Sequence, residues 1–173
     1  MLYLYGEMKK IIGVSGSNVG DENLNEEILE KAERVGFLIA KKGGILLCGG
    51  LGGIMEASAK GAKKAGGITV GILPGEKEKA NKYIDIPIAT NLGFFRNYII
   101  VASSDALIGI CGRWGTMNEI SLSMALNKPT IILKGSGGTC DILSRQDILE
   151  RFKRKVIVAT TPEEAVEIAF SSI

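Results

Sequence analysis

Glu119 is a candidate catalytic carboxylate. It stands one turn after Gly115 and Thr116, where the local pattern predicts the start of a helix. A carboxylate at this place could activate water, or stabilise a positively charged sugar carbon of a bound nucleotide. It could also serve only to balance the positive end of the helix dipole, and the spacing alone favours that simpler interpretation. Glu56 holds the equivalent place in an earlier helix and allows the same two interpretations.

Arg96, Arg113 and Trp114 are candidate ligand contacts beside glycine-bearing turns. Arg96 lies early in an otherwise apolar segment, where it could bind a phosphate or carboxylate through two parallel hydrogen bonds, or lie on the surface. Arg113 could bind a phosphate. The indole of Trp114 could stack on a base or a pterin, and it could equally serve packing or an interface.

Three turns carry glycine or serine at positions suited to anion binding: residues 15–21, 49–53 and 112–115. Each follows an apolar run and precedes a helical pattern, so in a parallel sheet the three turns meet at one edge. Glycine lets the backbone approach a ligand closely, and the following helix offers unpaired N–H groups and partial positive charge. Together they predict a phosphate site that includes Gly16 and Ser17. Neither a Walker A motif nor G-x-G-x-x-G with its downstream acid is present, which disfavours standard NTPase and dinucleotide-binding functions.

The turns punctuate a regular alternation of short apolar runs and amphipathic segments. Strands are predicted at 11–14, 45–48, 68–73, 84–89, 106–111, 130–133 and 156–159. Helices are predicted at 24–42, 54–65, 94–103, 116–127 and 142–153, and a charged, solvated loop at 76–83. A last helix is predicted to begin after Thr161, with Pro162 as its first residue and Glu164 completing a capping box. Strands that are near-continuous Ile, Val and Leu runs are typical of a parallel sheet covered on both faces. We therefore predict an α/β fold: one three-layer Rossmann-like domain over 1–173, with a mostly parallel sheet of about seven strands and helices on both faces. Residues 1–7 are expected to be a dispensable extension.

The composition of the 173 residues excludes several classes of function. A net charge of +2 and 6% aromatic residues give little basis for binding a nucleic acid. The absence of histidine excludes a His-based triad and an ordinary zinc site, and no metal is expected. The three cysteines are odd in number and far apart, which favours a reduced, cytoplasmic location, with Cys48 and Cys111 as buried small residues. No apolar run reaches the ~18 residues of a membrane helix.

Three motifs follow one another in order: Cys48-Gly49-Gly50-Leu51-Gly52-Gly53-Ile54-Met55-Glu56, then Gly71-Ile72-Leu73-Pro74-Gly75, then Gly112-Arg113-Trp114-Gly115-Thr116-Met117-Asn118-Glu119. The ordered set resembles the Rossmann-like superfamily of the "lonely guy" cytokinin-activating phosphoribohydrolases, the molybdenum-cofactor carrier proteins and DNA-processing protein A, from about Ile11 to Leu133. The resemblance implies a nucleoside-monophosphate pocket at a homodimer interface, with Arg96 and Glu119 matching the catalytic arginine and glutamate. It implies phosphate-binding roles for Gly49, Gly50, Gly52, Gly53, Gly112, Gly115 and Thr116, with Met55 in the same motif.

Two functions stay open on this resemblance. A phosphoribohydrolase would cleave the N-glycosidic bond of a nucleoside 5′-monophosphate to release base and ribose 5-phosphate, and the retained Arg96 and Glu119 favour it by a thin margin. The enzymes, however, usually carry Pro-Gly-Gly where this chain has Ile-Cys-Gly at 110–112, and Arg-Lys where it has Arg96 and Asn97. These departures resemble the molybdenum-cofactor carrier branch, whose members bind a phosphorylated pterin and need no catalysis.

Either function implies a small phosphorylated ligand: a nucleoside monophosphate, a phosphopterin or the molybdenum cofactor. No cofactor is expected to be required, and a homodimer or homotetramer is expected. Some members of the superfamily are labelled "possible lysine decarboxylase", but this sequence has no recognisable lysine context for pyridoxal phosphate. Binding of single-stranded DNA rests on the resemblance to DNA-processing protein A alone.

Overall fold

The computed structural model describes residues 8–151 and 156–173. The predicted extension 1–7 therefore lies outside the described residues. The strands are β1 (Ile11–Gly16), β2 (Ile45–Cys48), β3 (Thr69–Leu73), β4 (Ile86–Ala89), β5 (Ala106–Ile110), β6 (Thr130–Leu133) and β7 (Ile157–Ala159). The helices are α1 (Glu26–Lys41), α2 (Ile54–Lys64), α3 (Arg96–Ser103), α4 (Trp114–Ala125), α5 (Gly138–Leu143), α6 (Gln146–Leu149) and α7 (Pro162–Ser171), with short 3₁₀ turns at Lys77–Lys79 and Gly93–Phe95.

The seven strands form one sheet in the order β4-β3-β2-β1-β5-β6-β7, and every neighbouring pair is parallel. The chain builds outward from β1 to β4, returns to place β5 on the other side of β1, and continues to β7. Because the winding direction reverses between β1 and β5, a crevice opens there at the carboxyl ends of the strands, which is where ligands bind in such folds. The predicted α/β fold is confirmed.

Alternating side chains of the strands pack on two different helical layers, as the two-residue period of a strand requires. Val14 and Ile108 belong to the large core cluster that contains the buried faces of α1, α2 and α7. Leu107 packs instead with Ile120 of α4, and Leu47 packs with Ile100 of α3. The sheet is thus covered on both faces, and α3 and α4 lie together on the face opposite α1 and α2.

Helices α1 and α2 approach each other closely through two glycines. A Cβ built on Gly36 would lie 1.8 Å from the carbonyl oxygen of Ser58, and one on Gly61 would lie 1.8 Å from that of Glu33. Any side chain at either position would force the helices apart. This close contact explains the many small residues of α2. It also holds α2, which begins directly after the glycine turn at 49–53, in place against α1.

The prediction of one helix over 142–153 is wrong within the described residues. Helix α5 already begins at Gly138, after Gly137 with a φ of +85°, and it ends at Leu143. The short helix α6 follows because Arg145 is extended, with a ψ of 135°. Residues 152–155 lie outside the described part. Among the residues that are described, no helix has the length and apolar character needed to cross a membrane.

The capping of α7 differs in one detail from the predicted capping box. The Thr161 hydroxyl accepts a hydrogen bond from the Glu164 amide at 3.1 Å, as predicted. The Glu164 carboxylate, however, accepts from the amide of Thr160 at 2.7 Å and not from that of Thr161. Both bonds satisfy amide groups that would otherwise be unpaired where the helix starts.

Candidate functional site

A cavity of about 340 Å³ lies at the carboxyl ends of β1 and β2, beside the point where the winding of the sheet reverses. It is bounded by the turn after β1, the turn after β2, and the first residues of α3 and α4. The structure brings most of the predicted site residues into its lining: Gly16, Ser17, Gly49, Met55, Arg96, Arg113, Gly115, Thr116 and Glu119. The predicted residues Gly50, Gly52, Gly53, Gly112 and Trp114 are not part of that lining.

Arg96 and Glu119 meet in the cavity wall. The Arg96 Nη1 atom lies 3.6 Å from Oε1 of Glu119, and their side chains are only 12% and 9% exposed. The other carboxylate oxygen, Oε2, accepts a hydrogen bond from the hydroxyl of Ser15 at the end of β1. The glutamate is therefore held on both oxygens, by side chains from two different elements. Ser15 also lines the cavity, and no pattern in the sequence predicts its contact with a residue 104 positions away.

Gly49 makes room for the arginine. A Cβ built on Gly49 would lie 2.4 Å from Nη1 of Arg96, so the guanidinium occupies the space that a side chain would need. The Nε atom of Arg96 is buried and has no hydrogen-bond partner in the described residues. A buried charged donor without a partner costs free energy, so a ligand that accepts from it would be stabilised.

Burial controls the titration of this pair. It raises the pKa of the Glu119 carboxyl, against the opposing effects of the Ser15 hydroxyl and of the Arg96 charge. It lowers the pKa of the Arg96 guanidinium, which the charge of Glu119 opposes. A shift of the pKa in this direction brings the carboxyl closer to the range in which a general acid or base works.

The helices that start at the cavity have uncapped amino termini. In the part of the chain that the structure describes, the residues that precede α2 and α4 make no side-chain hydrogen bond to the first-turn amides. Helices α1 and α7 start elsewhere, and both are capped, by Asn25 and Thr161. The amide of Ile54, the first residue of α2, donates to the carbonyl of Ser17 at 2.9 Å. Other first-turn amides without a side-chain cap can bind an anion, and the helix dipole favours negative charge there.

Ser17 connects two of the predicted turns. Its hydroxyl accepts a hydrogen bond from the amide of Gly112 at 2.9 Å and donates to the carboxylate of Asp21. Both the Ser17 proton and the Gly112 amide are therefore already used within the protein. Burial raises the pKa of Asp21, but hydrogen bonds from Ser17 and Asn23 outweigh it and leave this pKa below its usual value. Asp21 thus stays charged and holds the turn.

The turn after β6 supports the turn after β5. The Thr139 amide donates to the carbonyl of Gly112 at 2.8 Å, and the Ser136 hydroxyl accepts from the amide of Cys111 at 2.7 Å. Cys111 has a φ of +58°, in the left-handed region that favours glycine, and these bonds hold it there. The glycines and hydroxyls of residues 135–139 were the signal in the sequence for this support.

The segment predicted as a solvated loop, 76–83, contains a partly buried residue that anchors the turn after β2. The Asn81 side chain donates to the carbonyls of Gly50 at 3.2 Å and Leu51 at 2.7 Å. The Asn81 amide adds a bond to Gly50 at 2.8 Å. These bonds direct the carbonyls of the turn toward Asn81.

Asn97 takes the place of the lysine that follows the arginine in the phosphoribohydrolases. It is buried, and its side-chain amide donates to Oδ1 of Asn118 at 2.9 Å. The bond joins α3 to α4 one residue along from Arg96 and Glu119. The asparagine that replaces the lysine therefore forms part of the contact between α3, which carries Arg96, and α4, which carries Glu119.

Cys48 and Cys111 are buried in the core cluster, as expected. Burial raises the pKa of the Cys48 thiol to about 12 and that of Cys111 above its usual value. Because the thiolate is the nucleophilic form, neither side chain is suited to nucleophilic attack at neutral pH.

Trp114 lies on the surface beside the cavity, 85% exposed, in a cluster with Phe94, Phe95 and Tyr98. We call these four residues the aromatic patch. Phe94 lines both the patch and the cavity. The stacking of a ligand on Trp114 stays a prediction, since the indole lies outside the cavity lining.

The sequence and the fold have counterparts in known proteins. The model of the SLOG cluster4 family matches residues 9–166. The chain belongs to this family. An uncharacterized protein of Archaeoglobus fulgidus is 44% identical to this chain over 167 residues, which are 93% of this chain and 95% of the relative.

Two further relatives carry names that describe a function. The structure of the molybdenum cofactor binding protein from Rippkaea orientalis superposes with a TM-score of 0.83 at 38% identity, over 96% of this chain and 98% of that one. A cytokinin riboside 5′-monophosphate phosphoribohydrolase of Mycobacterium tuberculosis is 38% identical over 99 residues, which are 54% of this chain and 52% of that enzyme. The superfamily predicted from the motifs is thereby confirmed, and this chain fits the molybdenum-cofactor carrier branch of that superfamily.

Proposed function

We propose that this protein is a phosphoribohydrolase that cleaves the N-glycosidic bond of a nucleoside 5′-monophosphate. The observation that carries the proposal is the buried pair of Arg96 and Glu119 in the cavity wall, with the carboxylate held on both oxygens. Burial raises the pKa of this carboxyl, and carboxyls with a shifted pKa are found preferentially at catalytic sites. The retained pair therefore favours hydrolysis.

The 5′-phosphate would bind at the uncapped amino termini of α2 and α4. Gly115 and Thr116 reach the cavity from α4, and Arg113, at the same turn, adds a positive charge. On the other side Met55 lies in the first turn of α2. This assignment keeps Met55, Gly115 and Thr116 among the predicted phosphate contacts. It excludes the Ser17 proton and the Gly112 amide, which already form hydrogen bonds within the protein.

With the phosphate at that end, the ribose would lie against Arg96 and Glu119. In the reaction the bond between C1′ and the base nitrogen breaks, and a water molecule supplies hydroxide to C1′ and a proton to the base. The Glu119 carboxylate would stabilise the positive charge that develops on the sugar, take up the proton of the attacking water and pass it on to the departing base. The charge of Arg96 favours the ionised form of Glu119 that these roles need.

A second candidate is a carrier of the molybdenum cofactor or of another phosphorylated pterin. The observation in its favour is the similarity to the molybdenum cofactor binding protein, which extends over nearly the whole of both chains. Asn97, bound to Asn118, also departs from the enzymes at the position after the arginine. The same phosphate end of the cavity would serve this ligand.

The aromatic patch is proposed as the contact with a second copy of the chain. Phe94, Phe95, Tyr98 and Trp114 are 80%, 84%, 53% and 85% exposed. At roughly 150–250 Å² per aromatic side chain, the patch reaches the roughly 300–600 Å² of the largest apolar patch on a typical monomer. Because Phe94 also lines the cavity, the second copy would cover one side of its mouth.

The catalytic role is tested with two matched variants, Glu119→Gln and Glu56→Gln. Glu56 is the third residue of α2 and does not line the cavity, whereas Glu119 is the sixth residue of α4. With AMP as substrate, Glu119→Gln should reduce base release by roughly 10²-fold or more while AMP still stabilises the protein, and Glu56→Gln should retain turnover. Unchanged turnover in Glu119→Gln would rule out the proposed catalytic role of Glu119.

A further inference from the structure

Ser15 is the closest polar contact of Glu119, and the sequence pattern places it within the turn at 15–21 without a role of its own. It is 2% exposed, at the carboxyl end of β1, and lines the cavity. Its hydroxyl donates to Oε2 of Glu119, whereas the nearest Arg96 nitrogen is 3.6 Å from Oε1. The strand therefore holds the carboxylate more tightly than the arginine does.

The place of Ser15 in the sheet explains how it can do this. Its register partner on β5 is Gly109, which presents no side chain beside it. Its neighbour Val14 belongs to the core on the opposite face, with α1 and α2. Since successive side chains of a strand alternate between the faces, Ser15 is directed to the face where α3 and α4 lie.

We propose that Ser15 is a positioning residue: its hydroxyl holds the Glu119 carboxylate in the orientation that the ligand meets. This inference rests on the proposed function for its consequence in turnover. Its structural part concerns only Ser15 and Glu119, and it can be tested without a ligand.

The titratable and charged groups around Glu119 support this assignment. Arg96 faces it from α3, and the thiol of Cys48 lies nearby at the end of β2, neutral because burial raises its pKa to about 12. Burial raises the pKa of Glu119, and the hydrogen bond from Ser15 opposes this more strongly than the charge of Arg96 does. Removing the hydroxyl should therefore move the titration of Glu119 to higher pH.

A buried serine on the same helix provides the matched control. Ser123 is one turn beyond Glu119 on α4 and fully buried, and its hydroxyl accepts a hydrogen bond from Thr130 Oγ1 at 2.8 Å. Ser123→Ala removes a buried hydroxyl from the same helix without touching the Glu119 carboxylate. Any effect of Ser15→Ala that Ser123→Ala also produces would be structural.

The experiment is a carbon-13 NMR titration of the glutamate carboxyls, with the Glu119 signal assigned by its loss in Glu119→Gln. The midpoint of Glu119 should move to higher pH in Ser15→Ala, stay in place in Ser123→Ala, and return toward the wild-type value in Ser15→Thr, which keeps the hydroxyl. An unchanged midpoint in Ser15→Ala, or the same shift in Ser123→Ala, would overturn the inference.

Turnover gives a second and separate readout. With AMP as substrate, Ser15→Ala should lower kcat by about tenfold or more and leave KM little changed. This loss is smaller than the full contribution of a general acid–base group to the rate, which is roughly 10²–10⁴-fold. If the wild-type protein releases no base, the proposed hydrolysis fails, and the titration still decides the role of Ser15.

Discussion

The guanidinium of Arg96 occupies the position where Gly49 would carry a side chain: a Cβ there would lie 2.4 Å from Nη1 and 2.6 Å from Nη2. The first glycine of the turn after β2 thus has a steric purpose besides any contact with a phosphate. It allows an arginine from α3 to lie flat against the end of the sheet and to reach Glu119 on α4.

Gly49→Ala should therefore displace Arg96 and impair the site without unfolding the protein. We expect base release from AMP to fall by at least about tenfold, since small misplacements of positioning groups can cost up to ~10²-fold. Gly75→Ala is the control, because a Cβ at Gly75 meets nothing within 4 Å and φ there is not in the left-handed region. Equal turnover in the two variants would contradict the steric role of Gly49.

The stability of the protein should depend on pH through Glu119. Its pKa is raised on folding, so between its ordinary value of 4.5 and the raised value the folded chain binds one more proton than the unfolded chain. The free energy of unfolding must then fall as pH rises through this interval. Thermal unfolding of Glu119→Gln between pH 4 and pH 8 should show a smaller decline than the wild type. Parallel stability curves for the two proteins would show that Glu119 titrates normally.

Asn81 should be needed for the shape of the turn after β2. Asn81→Ala removes the side-chain hydrogen bonds to the carbonyls of Gly50 and Leu51. At about 0.5–1.5 kcal/mol for each bond, the expected loss is about 1–3 kcal/mol of unfolding free energy. Hydrogen exchange should speed up at residues 50–53, and AMP affinity should fall. The exposed Gln146→Ala is the control, and unchanged exchange at these residues would exclude an anchoring role for Asn81.

The aromatic patch should determine the oligomeric state. Replacing both Phe95 and Trp114 by serine removes two side chains that are more than four-fifths exposed, so the fold of a single chain should be unaffected. Light scattering after size exclusion should show an oligomer for the wild type and a monomer for this variant. Ile142→Ser, on the exposed side of α5, is the control. An oligomer that persists in the double variant would place the interface elsewhere.

The fold was predictable because its signals are local. Apolar runs and turn glycines mark β1 to β7, and every turn that borders the cavity follows a strand of the sheet. The failure at 142–153 has a local cause too, since Gly137 and Gly138 begin a helix where their type predicts a loop.

The partners within the site were not predictable in the same way. Ser15 and Glu119 are 104 positions apart, and Asn81 lies 31 positions from Gly50. Such contacts depend on which strands become neighbours, and periodicity carries no information on that. Ser17 illustrates the same limit, because its type suits a phosphate but its hydroxyl is used between Gly112 and Asp21.

The central claim is most directly tested by incubating the purified protein with AMP and with adenosine, and separating the products by chromatography. The account predicts that free adenine and ribose 5-phosphate form from AMP, and that adenosine, which lacks the phosphate, is not cleaved. Stabilisation of the protein by nucleoside monophosphates without release of any base would contradict hydrolysis, and would mean that the same cavity serves a carrier.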